Sequence, residues 1–231
     1  MSAQRIVIEL VARAPLSSRV HRLAFRALAP FRWAAGQHLV VVGGQGQELF
    51  LPYSIASAYN PGKPGQFELA VTIGAGATVM DELPLGAQLE ILGPEGELTW
   101  QPSPRPAALL VGVGTGIAPL RALIEEELAR PSGIRLLLLA GHRELEDCLF
   151  ADDFARLASL HPRFRFVTTL SGVAADWGGP RGRVQAHLTA AVSSLGLLDA
   201  YVCGRLDMVR EVVALLETCG VTSPQVRSEG Y

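Results

Sequence analysis

The chain has 231 residues, 49% of them hydrophobic, and a formal net charge of −2, so a substantial core is assured and charge gives no reason to expect a nucleic-acid partner. Its opening, MSAQRIVIELVARAPL, lacks the basic head, long apolar stretch and small-residue cleavage site of a secretory leader, and no apolar run reaches the ~20 residues of a membrane span. Cys148, Cys203 and Cys219 are dispersed and odd in number, and the five histidines form no helical ligand pair; these features speak against a disulfide framework, an iron-sulfur cluster and a zinc site, and for a reducing cytoplasm.

Through residue 100 the pattern has period two. RIVIELVARA, RVHRLAFRAL and QHLVVVGG alternate, and in QFELAVTI the residues Phe67, Leu69, Val71 and Ile73 alternate with Gln66, Glu68, Ala70 and Thr72, the mark of half-buried strands. NPGKPG and GPEG read as turns between them, and a short helix is expected around ATVMDEL, so this half is an antiparallel β-barrel over residues 1–101. QPSPRP then reads as a linker over 102–106, because each proline fixes its own backbone and pushes the preceding residue out of the helical region.

From residue 107 to 231 the grammar changes. AALLVGVG, IRLLLLAG, FRFVTTL and DAYVCG are strands, and helices are expected over Ile117 to Arg130, in FADDFARLASL, near Val184 to Leu195 and near Leu206 to Cys219. The strands are mostly apolar on both faces, which predicts a parallel sheet covered by helices on each side, an α/β domain.

VGVGTGIAPL stands where the first of these strands meets the first helix. Gly112, Gly114 and Gly116 permit a tight turn and close backbone approach, and the helix start offers free N–H groups and a positive dipole end to a diphosphate. Pro119 is tolerated in the first helical turn, where its missing N–H costs nothing. In isolation the turn is equally an unliganded strand-to-helix connection. A second glycine-bearing strand end, YVCGRLDM with Gly204 and Met208, converges on the same edge of the sheet, where ligands of open parallel sheets bind. Cys203, taken alone, reads as a small buried residue.

The ordered set PYSIAS, GPEG, GTGIAPL and CG before a last helix covers nearly the whole chain and resembles the ferredoxin-NADP reductase superfamily. The resemblance implies a flavin-binding barrel followed by an NAD(P)H-binding domain whose tail returns to the flavin, and a flavin-dependent NAD(P)H oxidoreductase. The cofactor implied is FAD, with FMN or a weakly held flavin as alternatives; NADH or NADPH is the substrate. On that resemblance Leu51, Pro52 and Tyr53 would lie against the flavin, Ser54 would hydrogen-bond near its N5, and Val71 and Ile73 would line its edge. Gly76, Ala77 and Thr78 would open a helix that receives the flavin phosphates, Thr78 being equally an ordinary helix cap. Gly114, Thr115 and Gly116, with Gly204 and Met208, would meet the nicotinamide nucleotide, and Cys203 would approach its reactive ring. The ending QVRSEGY matches the plant-type spacing, so that Glu229 would assist the reaction centre and Tyr231 would cover the flavin face that nicotinamide uses; without the resemblance, Tyr231 would read as a frayed residue.

Three departures shape the expectations. Leu51 stands where the family usually has a phosphate-pairing arginine, a loss of about 1.5–3 kcal/mol of flavin affinity. Glu146, Asp147 and Phe150 fall near the places of a serine and a tyrosine that hold a 2′-phosphate, and Gly172 stands for an arginine, so NADH is favoured over NADPH unless Arg143 supplies the missing cation. Arg5, Arg13, Arg19, Arg22, Arg26 and Arg32 against Glu9 alone would steer an acidic acceptor such as a ferredoxin or flavodoxin, or else are solvated strand faces. Two rival readings stay open: a reductase that uses flavin as a diffusible substrate, and a non-catalytic flavin- or nucleotide-binding subunit.

Overall fold

The computed structural model describes residues 3–44, 47–74, 80, 82–172 and 176–231. Six strands, β1 (Gln4–Pro15), β2 (Val20–Ala27), β3 (His38–Gly44), β4 (Gln47–Ser54), β5 (Gln66–Thr72) and β6 (Gln88–Glu95), form one sheet in the order β4-β3-β6-β1-β2-β5. All its pairings are antiparallel. Among the described residues one bridge, Ile55 to Leu69, brings the two edges together, so the sheet is barrel-like without closing. Alternation sets the core: Ile6, Ile8 and Leu10 of β1 meet Leu23, Phe25, Leu39, Val41, Phe67 and Leu69 inside, all buried. Phe31, Trp33 and Phe67 pack ring on ring at 5.5–5.7 Å.

GPEG is not a turn. β6 runs through Gly93 and Pro94 to Glu95, with Gly93 paired to Gln4 and its bare Cα set against Leu39, where an added Cβ would lie 3.2 Å from that side chain's Cβ. Glycine here serves a close approach within a strand, a use that a turn signal cannot be told from in sequence.

The second sheet is wholly parallel: β7 (Ala107–Val113), β8 (Arg135–His142), β9 (Phe164–Leu170), β10 (Asp199–Gly204) and β11 (Val226–Gly230), ordered β11-β10-β7-β8-β9. Helices α1 (Ile117–Leu128) and α2 (Ala151–Leu160) cover one face, where Leu110, Leu138, Leu120 and Phe154 pack together. Helices α3 (Leu188–Leu195) and α4 (Leu206–Thr218) cover the other, with Leu109, Val111, Val192 and Val212. The tail expected to return to the flavin is therefore a fifth strand, β11, held in register beside β10.

The halves share a core. Ala35, Ala56 and Leu98 of the first half belong to the same buried cluster as α1. The Trp100 indole donates to the Leu123 carbonyl at 2.8 Å and packs edge-on against Tyr201. Among the described residues no helix is long and apolar enough to cross a membrane.

Candidate active site

β7 leads through a 3-10 turn, Gly114–Gly116, directly into α1. Gly114 has φ +54°, a left-handed value that glycine adopts without strain, whereas Gly116 is helical at φ −61° and is needed for space. A Cβ on Gly116 would lie 2.4 Å from the Cys203 carbonyl oxygen and 2.6 Å from the Gly204 Cα, so the turn and the end of β10 touch backbone to backbone. No side chain caps α1 at Gly116. Instead the Gly116 N–H donates to the Tyr231 hydroxyl at 2.8 Å, and that hydroxyl also lies 2.9 Å from the Thr115 hydroxyl. The Tyr231 ring is 59% exposed, while burial of its hydroxyl end pushes the phenol above its ordinary pKa.

A cavity of about 600 Å³ opens from this turn between the two halves. Ser17, Arg19 and Thr72 line it from the barrel side, and Thr115, Ser171 and Met208 from the α/β side. Three more guanidinium-bearing residues, Arg143, Arg183 and Arg205, also line it, as do Asp147 and Asp207. Arg205 pairs with Asp207 at 3.0 Å and Arg143 with Glu144 at 3.7 Å. Sequence reasoning missed Arg183 and Arg205 and counted Arg19 only among the early basic residues: single arginines carry no motif, and only the fold brings them to one cavity. His142, at the end of β8, is kept neutral by burial, which lowers its pKa to about 4.

A second cluster gathers about Glu229, two residues before Tyr231. In register, His38 of β3 faces both Ser54 of β4 and Glu95 of β6. Its Nδ1 is 3.7 Å from the Glu229 carboxylate of β11, and Glu229 is in register with Cys203 of β10. The sheets thus converge so that Ser54, His38, Glu229 and Cys203 form a chain of neighbours across the halves. Burial raises the Glu229 carboxyl, opposed by His38. Burial, then the Glu229 charge, pushes the Cys203 thiol well up, so it stays protonated; its side chain is wholly enclosed, within the same buried cluster as Ile117 and Tyr201, and does not line the cavity. Among the described residues the buried His38 Nδ1 has no hydrogen-bond partner, only the longer contact to Glu229, an unsatisfied polar atom beside Ser54.

The fold changes some of the expectations. Val71 is 1% exposed, its side chain sunk in the barrel core, so a flavin could meet only its main chain; Thr72, one residue on and therefore on the opposite face, lines the cavity. Ile73 is half-buried beyond the end of β5. Tyr53 packs against the barrel core, Leu51 is half-buried opposite Val41, and Pro52 is exposed. Gly76, Ala77 and Thr78 lie outside the described residues, as does most of the helix expected there. Phe150 is not beside the cavity: it is 3% exposed, with the guanidinium groups of Arg22 and Arg121 set over its ring at 5.1 and 4.9 Å. Nor do the six early arginines make one free basic face. Arg22 pairs with Asp153, Arg26 with Glu9 and Arg5 with Glu90, while Arg13 donates to the Met80 and Leu83 carbonyls. Two of the carboxylate partners, Glu90 and Asp153, lie far off in sequence, beyond the reach of a count over the first 32 residues.

Family models match both halves: an oxidoreductase FAD-binding domain over residues 7–100 and an oxidoreductase NAD-binding domain over residues 110–214. A ferredoxin--NADP reductase B of Sorangium cellulosum is 35% identical over 244 aligned positions, covering 100% of this chain and 99% of that protein. An NAD(P)H-flavin reductase of Vibrio harveyi is 26% identical, covering 84% of each. Among solved structures, the Amycolatopsis cytochrome P450 reductase GcoB superposes with a TM-score of 0.89 at 25% identity, over 99% of this chain and 70% of that one. The cytochrome b5 reductase domain of Ulva prolifera nitrate reductase shares the fold, with a TM-score of 0.81 at 18% identity over 98% of this chain and 97% of that one.

Proposed function

The chain belongs to the ferredoxin-NADP reductase superfamily of NAD(P)H-dependent flavin oxidoreductases, and from that premise we propose that Ser54, Cys203, Glu229 and Tyr231 surround the reaction centre of a reductase serving a redox-protein acceptor such as a ferredoxin. The observation that carries this reading is the placement of Tyr231 and Glu229 on one short stretch: the tyrosine hydroxyl sits on the nucleotide turn while the carboxylate reaches His38, opposite Ser54.

The residues present fit the cofactors. The unsatisfied His38 Nδ1 beside Ser54 and the half-buried Tyr53 offer a polar edge and an aromatic face to a flavin, and the Gly116 N–H offers a donor to a nucleotide phosphate. When bound, FAD supplies N5 as the hydride acceptor and hands electrons on singly. The chain's own task is to stack nicotinamide on flavin within roughly 3–3.5 Å and to exclude water. Ser54 would orient N5; Cys203, neutral and small, would let the nicotinamide ring approach; Glu229, whose carboxyl burial raises against the opposing pull of His38, would face that point. Arg19, Arg143, Arg183 and Arg205 would meet the phosphates along the cavity, and Asp147 would accept from a ribose hydroxyl.

Anaerobic addition of NADH to the purified, flavin-loaded protein is expected to bleach the flavin absorption; a flavin that keeps its colour overturns the reading. We carry forward NADH as the favoured donor, on the Asp147 carboxylate in the cavity and on Gly172, whose place is closed to a side chain because a Cβ there would be 2.5 Å from the Arg143 carbonyl oxygen. The expected result is a higher kcat/KM with NADH; a clear preference for NADPH would instead make the cavity arginines a 2′-phosphate grip.

A second reading, in which flavin is a diffusible substrate, is favoured by Leu51 in the position of the phosphate-pairing arginine. Colourless protein with flavin-dependent NADH oxidation distinguishes it from a yellow protein with stoichiometric flavin. Leu51→Arg is expected to restore a charged hydrogen bond of about 1.5–3 kcal/mol and so tighten flavin retention by roughly one to two decades. Fluorescence of flavin released on dilution measures this, and retention unchanged by the substitution would show that Leu51 does not face the phosphates.

A further inference from the structure

We propose that Arg121 is a positioning residue for hydride transfer, registering the strand end that carries Ser54 against the helix that begins at the nucleotide turn; this rests on the functional reading above. Arg121 lies just over one turn into α1, beyond Gly116, and its side chain is only 7% exposed. Its guanidinium is fully engaged. Nη1 donates to the Ala56 carbonyl at 2.7 Å and to Glu68 at 2.9 Å; Nη2 pairs with Glu125 at 3.0 Å; Nε donates to Asp153 at 2.9 Å. Two of those partners belong to the barrel half and two to the α/β half. A planar fork loses little freedom in holding several acceptors at once, and it fixes their mutual geometry in a way a lysine ammonium cannot.

The grip falls on main chain next to the reaction centre. Ala56 follows Ser54 by two residues, and its own N–H donates to the Glu68 carbonyl at 2.7 Å. From the same helix, Glu125 accepts the Ala58 N–H at 3.1 Å and Glu126 accepts the Ala35 N–H at 3.0 Å. Ile55 in turn donates to the Gln37 carbonyl, the residue before His38. One face of α1 therefore holds both segments that frame Ser54, while the start of that helix holds Thr115, Gly116 and the Tyr231 hydroxyl.

An outer layer braces this grip. Arg22 of β2 reaches Asp153 at 2.7 Å, and Phe150 lies against both guanidinium groups with φ +58°, a backbone conformation rare for an aromatic residue. The cluster counts three carboxylates, Glu68, Glu125 and Asp153, against two guanidinium groups, Arg22 and Arg121. Burial raises the Glu125 carboxyl, opposed chiefly by Arg121 and reinforced by Glu68 and Asp153. Without Arg121 the carboxylates would push the halves apart.

The test compares full-length Arg121→Met, Arg121→Lys and the double variant Arg121→Met with Glu125→Gln, all flavin-loaded. Stopped-flow bleaching by nicotinamide nucleotide is expected to slow on the order of 10²-fold in Arg121→Met, the scale of a misplacement of about 1 Å. The long-wavelength absorbance of stacked nicotinamide and flavin should weaken with it, while flavin content and the nucleotide Kd stay close to the parent. The double variant should recover part of the rate. Unchanged bleaching and unchanged long-wavelength absorbance in Arg121→Met would overturn the proposal. Should Arg121→Met not fold, Arg121→Lys decides it, since the charge is kept and the fork lost: a parental rate there overturns it. Amide hydrogen exchange at Ala56 and Ala58 reads the grip without any redox chemistry. Faster exchange in the variants is expected, and parental protection would overturn the proposal even if the parent protein failed to bleach and the functional reading fell.

Discussion

Gly116→Ala is expected to abolish useful nucleotide binding and to lower the melting temperature, while Gly133→Ala leaves both unchanged. The difference is in what a methyl group would meet. At Gly133 an added Cβ has nothing within 4 Å, whereas at Gly116 it meets the Cys203 carbonyl oxygen at 2.4 Å, its carbon at 2.6 Å and the Gly204 Cα at 2.6 Å. These are backbone atoms in a parallel strand paired on both sides, by β7 and by β11, so none can swing aside as a side-chain tip would. Relief requires α1 to shift away from β10. Overpacking of this kind costs about 1–3 kcal/mol, hence a drop of roughly 2–12 °C for a chain of this size. The shift also moves the Gly116 N–H, the donor offered to the nucleotide. A thermal melt and a nucleotide titration check the two effects, and a Gly116→Ala protein with parental values for both would mean that the close approach is not maintained in solution. Gly114→Ala should be milder: its Cβ would meet only the Tyr231 hydroxyl, at 3.7 Å, leaving the left-handed φ as the main cost, about 1 kcal/mol.

Tyr231→Phe is expected to bind nucleotide more tightly, by roughly five- to a hundredfold. The hydroxyl of Tyr231 engages the Gly116 N–H and the Thr115 hydroxyl, the same groups offered to the nucleotide, so ligand and side chain compete for one set of hydrogen bonds. Each such bond contributes about 0.5–1.5 kcal/mol net, and removing two weakens the competitor by about 1–3 kcal/mol. The ligand recovers that difference as apparent affinity, because less of the protein is held in the occluded arrangement. The rest of the contact survives: the Tyr231 N–H still donates to the Gly204 carbonyl, and its carbonyl still accepts from Leu206. Equilibrium titration with the oxidised nucleotide reads the change. Weaker or unaltered binding would show that the hydroxyl does not stand in the ligand's way.

The α/β half was the more legible in the sequence. Its inner strands are apolar on both faces, so they stand out as continuous runs, and the helices between them carry their own period; FRFVTTL and DAYVCG begin and end where β9 and β10 do. β11 was harder, because VRSEG is polar, lies at the sheet edge and draws its pairing from β10 rather than from burial of its own side chains. In the barrel half four of the six strands were visible from their alternation and β4 and β6 were not, since Gly93 and Pro94 signal a turn in any short window and lie within β6 only because β1 and β3 hold that strand. For the candidate site, the family motifs pointed to Ser54, Thr115, Gly116, Cys203 and Tyr231. They did not lead to Thr72 or His38. The first differs from the expected Val71 only in which face of the strand it takes, and the second gains its meaning from Glu229, 191 positions away along the chain. Arg22 is the sharpest case: its partner Asp153 is 131 residues on, so a side chain that reads as surface charge is a tie between the halves.

That tie has a consequence for how the chain can vary. Helix α1 seizes Ala35, Ala56 and Ala58 by amide and carbonyl groups that every non-proline residue carries, while the seizing groups are particular side chains, Arg121, Glu125 and Glu126. The constraint is therefore lopsided. On the barrel side it is one of volume, since Ala35 and Ala56 are almost wholly enclosed, and any residue small enough would be held equally well. On the helix side it is one of chemistry, and a change there has no substitute nearby. Substitutions that drift through these main-chain contacts would leave their trace on the helix side alone, whereas Arg22 with Asp153 and Arg121 with Glu68 join side chain to side chain and would change in pairs.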